Sequence, residues 1–257
     1  TNINIKENLA FKGGGIYLDD SEPTTFNISI NNNTAVTGGG IYIIESNTEL
    51  YNLIIYRNHS DGWNGGNGGG GIYLDNSTTL KLINTTISEN TANSNGNAIL
   101  YDENNSQNLT SLTIYNSIIW NNGTSAIESI SGDWYDSIAI FNSIWWSNSY
   151  GGNNIWEDPL FTNQDNSDFT LQSISSCIDS GTSDINGDGI NDIMEFDGEG
   201  PDIGAYEFLC ESLNLNYDEC EICEGDNSTC LDCAGIPNGL AYYDNCNICN
   251  DDSEDDC

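Results

Sequence analysis

Gly13-Gly14-Gly15-Ile16-Tyr17-Leu18 recurs as Gly38-Gly39-Gly40-Ile41-Tyr42-Ile43, then as Gly69-Gly70-Gly71-Ile72-Tyr73-Leu74 and, degraded, as Gly96-Asn97-Ala98-Ile99-Leu100-Tyr101. A second pattern keeps step with it: Asn, five residues, Asn, with a large apolar residue fourth. It occurs at Asn2/Asn8, Asn27/Asn33, Asn52/Asn58, Asn84/Asn90, Asn116/Asn122 and Asn142/Asn148, around Ile5, Ile30, Ile55, Ile87, Ile119 and Trp145. The steps are 25, 25, 32, 32 and 26 residues. With 39 Asn in 257 residues, one such spacing means nothing. Six in order, interleaved with a second motif, mark a repeat.

Each unit alternates apolar and polar residues over short stretches, as in Ile16/Leu18 around Tyr17 and Leu80/Leu82 around Lys81. That period predicts strands with one inward face. A short-stranded unit cannot bury its own apolar face, but stacked copies can. The fold expected is all-β: a right-handed, single-stranded parallel β-helix, a pectate-lyase-like solenoid of about six rungs. Asn33, Asn58, Asn90, Asn122 and Asn148 would stack as an amide ladder. The glycines read as turn geometry, because neither the helix nor the Lys of a phosphate cradle follows them. The longer steps place their extra residues at Asp61 to Gly68 and Glu103 to Asn108.

Acids outnumber bases by 40 to 4, a formal charge of −36. No surface of this chain could neutralise phosphates, which excludes nucleic acid and anionic lipid as partners. No apolar run approaches the roughly 18 residues of a membrane span. The apolar fraction of 37% suffices for a core.

The GGGIY-type units with Asn-spaced strands resemble the β-helix repeats of bacterial surface proteins, including polymorphic outer-membrane-protein-like repeats. Asp158-Pro159-Leu160-Phe161, Asp168-Phe169-Thr170-Leu171, Ile178-Asp179-Ser180-Gly181 and Asp202-Ile203-Gly204-Ala205-Tyr206-Glu207-Phe208 resemble that family's terminal segment, which closes on a DIGAYE-type motif. Cys177 stands where the family often has Ala, and Ser175 where it has Pro. The resemblance implies architecture and a secreted or cell-surface location, with no agreed catalytic residues. The expected organisation is repeats over 1–157, a terminal β segment over 158–208 and two four-cysteine modules over 209–257. The chain opens at Asn2 inside a strand pattern and ends on Cys257, so both ends read as cuts in a longer protein.

Eight of nine cysteines lie in the tail: Cys210, Cys220, Cys223, Cys230, Cys233, Cys246, Cys249 and Cys257. Tyr217-Asp218-Glu219-Cys220-Glu221-Ile222-Cys223 repeats as Tyr243-Asp244-Asn245-Cys246-Asn247-Ile248-Cys249. The paired C-x-x-C spacings suit zinc. Tandem modules with even cysteine counts suit disulfides, which is the reading preferred here. The tail resembles cysteine-rich repeats of large secreted proteins of marine bacteria, most clearly at Gly225-Asp226-Asn227-Ser228-Thr229-Cys230. Cys177 reads as a small buried residue.

Asp184-Ile185-Asn186-Gly187-Asp188-Gly189-Ile190-Asn191-Asp192-Ile193-Met194-Glu195 fits a calcium-loop pattern in full. Asp184, Asn186 and Asp188 would supply side-chain oxygens, Ile190 a carbonyl, and Asp192 and Glu195 further carboxylates. Flanking helices are missing, so the loop would be dockerin-like or thrombospondin-like, or simply an acidic surface turn. Tyr17, Tyr42 and Tyr73, with Trp120 and Trp146 in equivalent outward slots and Tyr56 earlier, could receive sugar rings or merely shield a sheet face. Asp19, Asp75 and Asp102 each follow the motif Ile by three residues. Asp75 and Asp102, on adjacent rungs, are weak catalytic candidates for a retaining glycosidase. A polysaccharide lyase needs a base and cations, and Lys6, Lys12, Arg57 and Lys81 form no evident cluster. His59 sits in a turn reading with no evident partner. The function expected is therefore non-enzymatic adhesion or binding of extracellular polysaccharide or surface protein, with structural calcium. The alternative is a carbohydrate-active enzyme, lyase or hydrolase, on the same fold.

Overall fold

The computed structural model describes residues 3–62, 67–102, 110–123, 126–130, 138–144, 151–210, 217–220, 227–228, 230–244 and 246–250. They divide into two compact units, residues 1–207 and 208–257. Asn148, Trp145 and Glu103 to Asn108 of the repeat reading lie outside the described residues.

The first unit winds through four parallel sheets, each taking at most one strand from a coil. The first sheet stacks Ile3–Lys6, Ile28–Asn31, Ile54–Tyr56, Thr86–Ser88 and Ile118–Trp120. The second stacks Leu9–Lys12, Thr34–Thr37, His59–Ser60 and Thr91–Ala92. The third stacks Ile16–Asp19, Ile41–Ile44, Ile72–Asp75, Ile99–Tyr101 and Ile127–Ser129. The fourth begins at Thr24–Phe26 and runs through Asn47–Tyr51, Thr79–Ile83, Ser111–Tyr115 and Ile138–Phe141 to Gly151–Gly152. Every pairing between coils is parallel and in register: Ile5, Ile30, Ile55, Ile87 and Ile119 form one column. These isoleucines point inward and join the aliphatic columns of the third and fourth sheets in one continuous core.

Corners explain the composition. From the second unit on, the first Asn of each Asn-x5-Asn unit takes the left-handed conformation, with φ of 56° at Asn27, 52° at Asn52, 47° at Asn84 and 46° at Asn116 and Asn142. Asn tolerates that region better than any residue except Gly. The second Asn turns inward at Asn33, Asn58, Asn90 and Asn122. Asn58, fully buried, donates from Nδ2 to the Ile30 carbonyl at 2.9 Å and to Asn90 Oδ1 at 3.0 Å. Its own Oδ1 accepts the Asn33 backbone and side-chain amides at 3.1 and 3.0 Å. The same geometry runs from Asn8 to Asn122. The triple glycines are steric: a Cβ on Gly14 would lie 2.2 Å from the Gly39 carbonyl oxygen. In the degraded copy the first glycine survives, because Gly96 holds φ of +65°.

Residues 158–207 fold in the same compact unit as the coils. Phe161–Asn163 and Asp168–Leu171 pair antiparallel around a single 3-10 turn. The segment then returns along the outside of the first sheet. Arg57 ties it there, donating to Ser167 Oγ at 3.1 Å and to the Gln164 and Asp165 carbonyls, while its Nε meets Glu89 at 2.5 Å. Phe169 packs on Tyr56, with ring centroids 5.1 Å apart. Further along, Asn116 exchanges two bonds with Thr182, and the Gly204 and Ala205 amides bond to the Asn116 carbonyl and Thr86 Oγ1.

In the second unit, Cys220 pairs with Cys230 and Cys233 with Cys249, and Cys210 and Cys246 are also disulfide-bonded. Cys223, Cys257, Gly225, Asp226 and Thr229 lie outside the described residues. The repeated Asp has one job in both modules: Asp218 and Asp244 each accept the amide of the cysteine two residues on, at 2.8 Å.

Replacing Asn58 with Ala strands several buried groups at once, each costing about 1–3 kcal/mol. Denaturant unfolding of Asn58→Ala should lose about 3 kcal/mol or more. Asn142→Gly, at a left-handed corner, should stay within about 0.5 kcal/mol of the parent. Equal losses would remove the ladder's special role.

Candidate functional site

The third sheet carries the tyrosine column in strict register, Tyr17, Tyr42, Tyr73, then Leu100 and Glu128. Tyr17 and Tyr42 stack at 5.3 Å and 14°, Tyr42 and Tyr73 at 5.2 Å and 20°. Tyr42 and Tyr73 are 1% and 2% exposed and pack with Leu100, so their faces are not open to a ligand; Tyr17, at the end of the stack, is 46% exposed. Their hydroxyls meet the carboxylates singled out from the sequence. Tyr17 donates to Asp19 at 3.2 Å, Tyr42 to Asp75, and Tyr73 to Asp102 at 3.1 Å. Lys12 Nζ reaches the Tyr42 hydroxyl at 2.5 Å and lies 4.3 Å above its ring, and Asn67 donates to the Tyr73 hydroxyl. Burial first, then the neighbouring carboxylate, pushes the Tyr42 phenol up. Burial likewise dominates the upward shift at Tyr73.

The carboxylates are not an open pair. Ile44 stands in register between Asp19 and Asp75. Asp102 follows Asp75 on the next coil, but it is 3% exposed and faces a phenol.

Trp120 belongs elsewhere. Its column is Asn31, Tyr56, Ser88, Trp120 on the first sheet, so the aromatic slots split over two faces because the sheet, not the repeat number, sets direction. Trp146 lies outside the described residues. Trp120 shares a cleft of about 190 Å³ with Gly123, Asn121 and Trp156, which is 70% exposed. Trp156 follows the last Asn-x5-Asn unit, Asn142/Asn148, so no periodic signal marked it.

The 184–195 loop closes on itself. Asp184 accepts the Gly187, Asp188 and Gly189 amides, Asp188 the Ile190 amide, and Asp192 the Ile185 and Asn186 amides. Gly187 and Gly189 turn the chain at φ of 75° and 85°. Ile190 and Glu195 are exposed. The donor chemistry suits a hard cation, but among the described residues no three acidic, His or Cys side chains converge where an ion would sit.

All four strong bases have partners. Lys12 meets Tyr42 and Arg57 meets Glu89, while Lys81 pairs with Glu49 at 2.8 Å and Lys6 with Glu7 at 3.7 Å. His59 lies in a strand of the second sheet, with Thr91 Oγ1 at 2.8 Å and Asp61 at 3.3 Å, which corrects the partnerless-turn reading. Cys177 is a buried free thiol, pushed up to about 12 by burial.

The closing motif shows its logic. Ile203 is fully buried and its amide donates to the Cys177 carbonyl. Asp202 Oδ1 accepts the Asp179 amide at 2.9 Å, and Glu207 accepts the Asp202 amide. Burial, then the Asp202 carboxylate, pushes Glu207 up to about 8.

Residues 1–182 match the family model described as "Right handed beta helix region". No curated protein sequence matches the chain. Among solved structures, the crystal structure of pectate lyase Pel9A aligns at 15% identity over 80% of this chain and 70% of that one, with a TM-score of 0.36. A likeness that low bears on no residue's role. Among the described residues, no helix is long and apolar enough to cross a membrane.

Folded Glu207 holds its proton more tightly than the unfolded chain does. Its contribution is therefore complete below the ordinary carboxylate range and is lost as pH rises through about 8. The melting-temperature gap between Glu207→Gln and the parent should widen in the variant's favour between about pH 5 and about pH 8; a constant gap would contradict the assignment. Iodoacetamide should label Cys177 only after unfolding, and labelling of the native protein would contradict its burial.

Proposed function

Since the chain belongs to the right-handed β-helix family, we propose that it is a secreted or cell-surface scaffold that binds extracellular glycan or protein through a rigid flank, without catalysis. One observation carries this reading: the carboxylates on which catalysis could rest are engaged by tyrosines. Asp75 receives Tyr42 and the nearly buried Asp102 receives Tyr73. A retaining glycosidase needs two carboxylates facing one open glycosidic bond. A lyase needs a base and cations for a uronate, and every Lys and Arg here is already paired. The disulfides of the second unit support an oxidising, extracellular setting.

The enzymatic alternative predicts release of reducing ends or unsaturated products from neutral or uronic polysaccharides, abolished in Asp75→Asn and Asp102→Asn. The scaffold reading predicts none from the parent protein, and product formation sensitive to those variants would overturn it.

Calcium on the 184–195 loop belongs to the same proposal, on donor chemistry alone. Asp184, Asn186, Asp188, the Ile190 carbonyl, Asp192 and Glu195 would have to turn from the loop's amides toward the ion. Calorimetry should then show heat on calcium addition, with millimolar-range affinity and a raised melting temperature, both absent in Asp188→Ala. A parent protein that gives neither removes calcium from the proposal.

A further inference from the structure

The returning terminal segment covers the outer face of the first sheet only in part. Its contacts reach Tyr56, Ser88 and Thr86, on the third and fourth coils, and Asn116 at the corner that opens the fifth. Over the first two coils the face is left open, and at the border lies a cleft of about 490 Å³. Tyr206 and Ala205 form one wall; Asn4, Ser29 and Ile54 are among the residues of the sheet wall, and the corner residues Asn27 and Asn52 also line it. The volume falls within the range of small-ligand sites.

We infer that this cleft binds a neutral glycan, with the Tyr206 ring as platform and the Asn27 and Asn52 amides as hydroxyl partners. The inference rests on the scaffold reading above and deepens it by naming a site and a ligand class. Among the described residues, no charged side chain lines the cleft, although 40 acids are distributed over the chain. A cationic ligand therefore finds no counter-charge there, and an anionic one is repelled by the −36 field. The side-chain amides of Asn27 and Asn52 make no hydrogen bond among the described residues, and Tyr206 is 40% exposed. Asn4 Oδ1 and Ser29 Oγ accept from Asn31 Nδ2, at 2.8 and 3.0 Å, which holds the polar floor in place. Donors and acceptors beside an aromatic face match the polar rim and apolar faces of an uncharged sugar ring.

The full chain would be run by affinity electrophoresis through gels holding a soluble β-glucan, a xyloglucan, a galactomannan or polygalacturonate. Retardation by at least one neutral polymer is expected, weakened about tenfold in Tyr206→Ala and in Asn27→Gly. The second variant keeps the left-handed corner and guards against misfolding. Lys81→Ser, on the fourth sheet, should behave as the parent. Retardation that both cleft variants leave unchanged would move binding elsewhere and overturn this inference, while the scaffold reading stands. Failure of every neutral polymer, or retardation by polygalacturonate alone, would overturn it as well. Hydrolysis or elimination products from any gel polymer would instead sink the scaffold reading.

Discussion

The amide column that starts at Asn8 and is buried from Asn33 to Asn122 is the interaction on which the first unit depends. The side chains of Asn33, Asn58 and Asn90 each give to the coil before them and to the amide beyond, and take from their predecessor. An amide is self-complementary, so identical groups attract when stacked at strand spacing, where identical charges would repel. The column fixes coil against coil, and the fixed register then lets Ile5, Ile30, Ile55, Ile87 and Ile119 share one core.

The same rule governs what may repeat on the outside. Tyrosine stacks on tyrosine at 5.2–5.3 Å. The few bases sit against acids of a neighbouring coil: Lys81 lies in register with Glu49, and Arg57 reaches Glu89 one coil on. Ile44 separates Asp19 from Asp75. An acidic chain thus keeps its fold by placing acids at corners, such as Glu7, Glu45 and Glu89 in the left-handed region, and in loops.

The terminal segment adds what a repeat cannot. Each solenoid flank is built from equivalent positions of successive coils, and the non-repeating strap adds a wall across one of them at Tyr206. Gly204 shows how tightly the strap fits: it takes φ of +125°, and a Cβ there would lie 2.9 Å from Ile118 Cδ1. Asp179, Asp202 and Glu207 lock the strap to itself through backbone amides, at the expense of crowding carboxylates.

Much of the fold was legible in the residues. The Gly and Asn spacings reveal the coil repeat and the ladder, because backbone sterics at a left-handed corner and amide stacking act within one coil and its neighbour. The eight tail cysteines revealed a scaffold, though not that Cys220 meets Cys230 and Cys233 meets Cys249. Long-range placement decided the rest. Whether Tyr42 is a platform or a buried packing element, whether Asp102 faces solvent or a phenol, and which flank meets Tyr206 depend on neighbours 25 to more than 150 residues away in the chain. Periodicity carries no information about such contacts, since it records what each coil repeats and not what folds back over it.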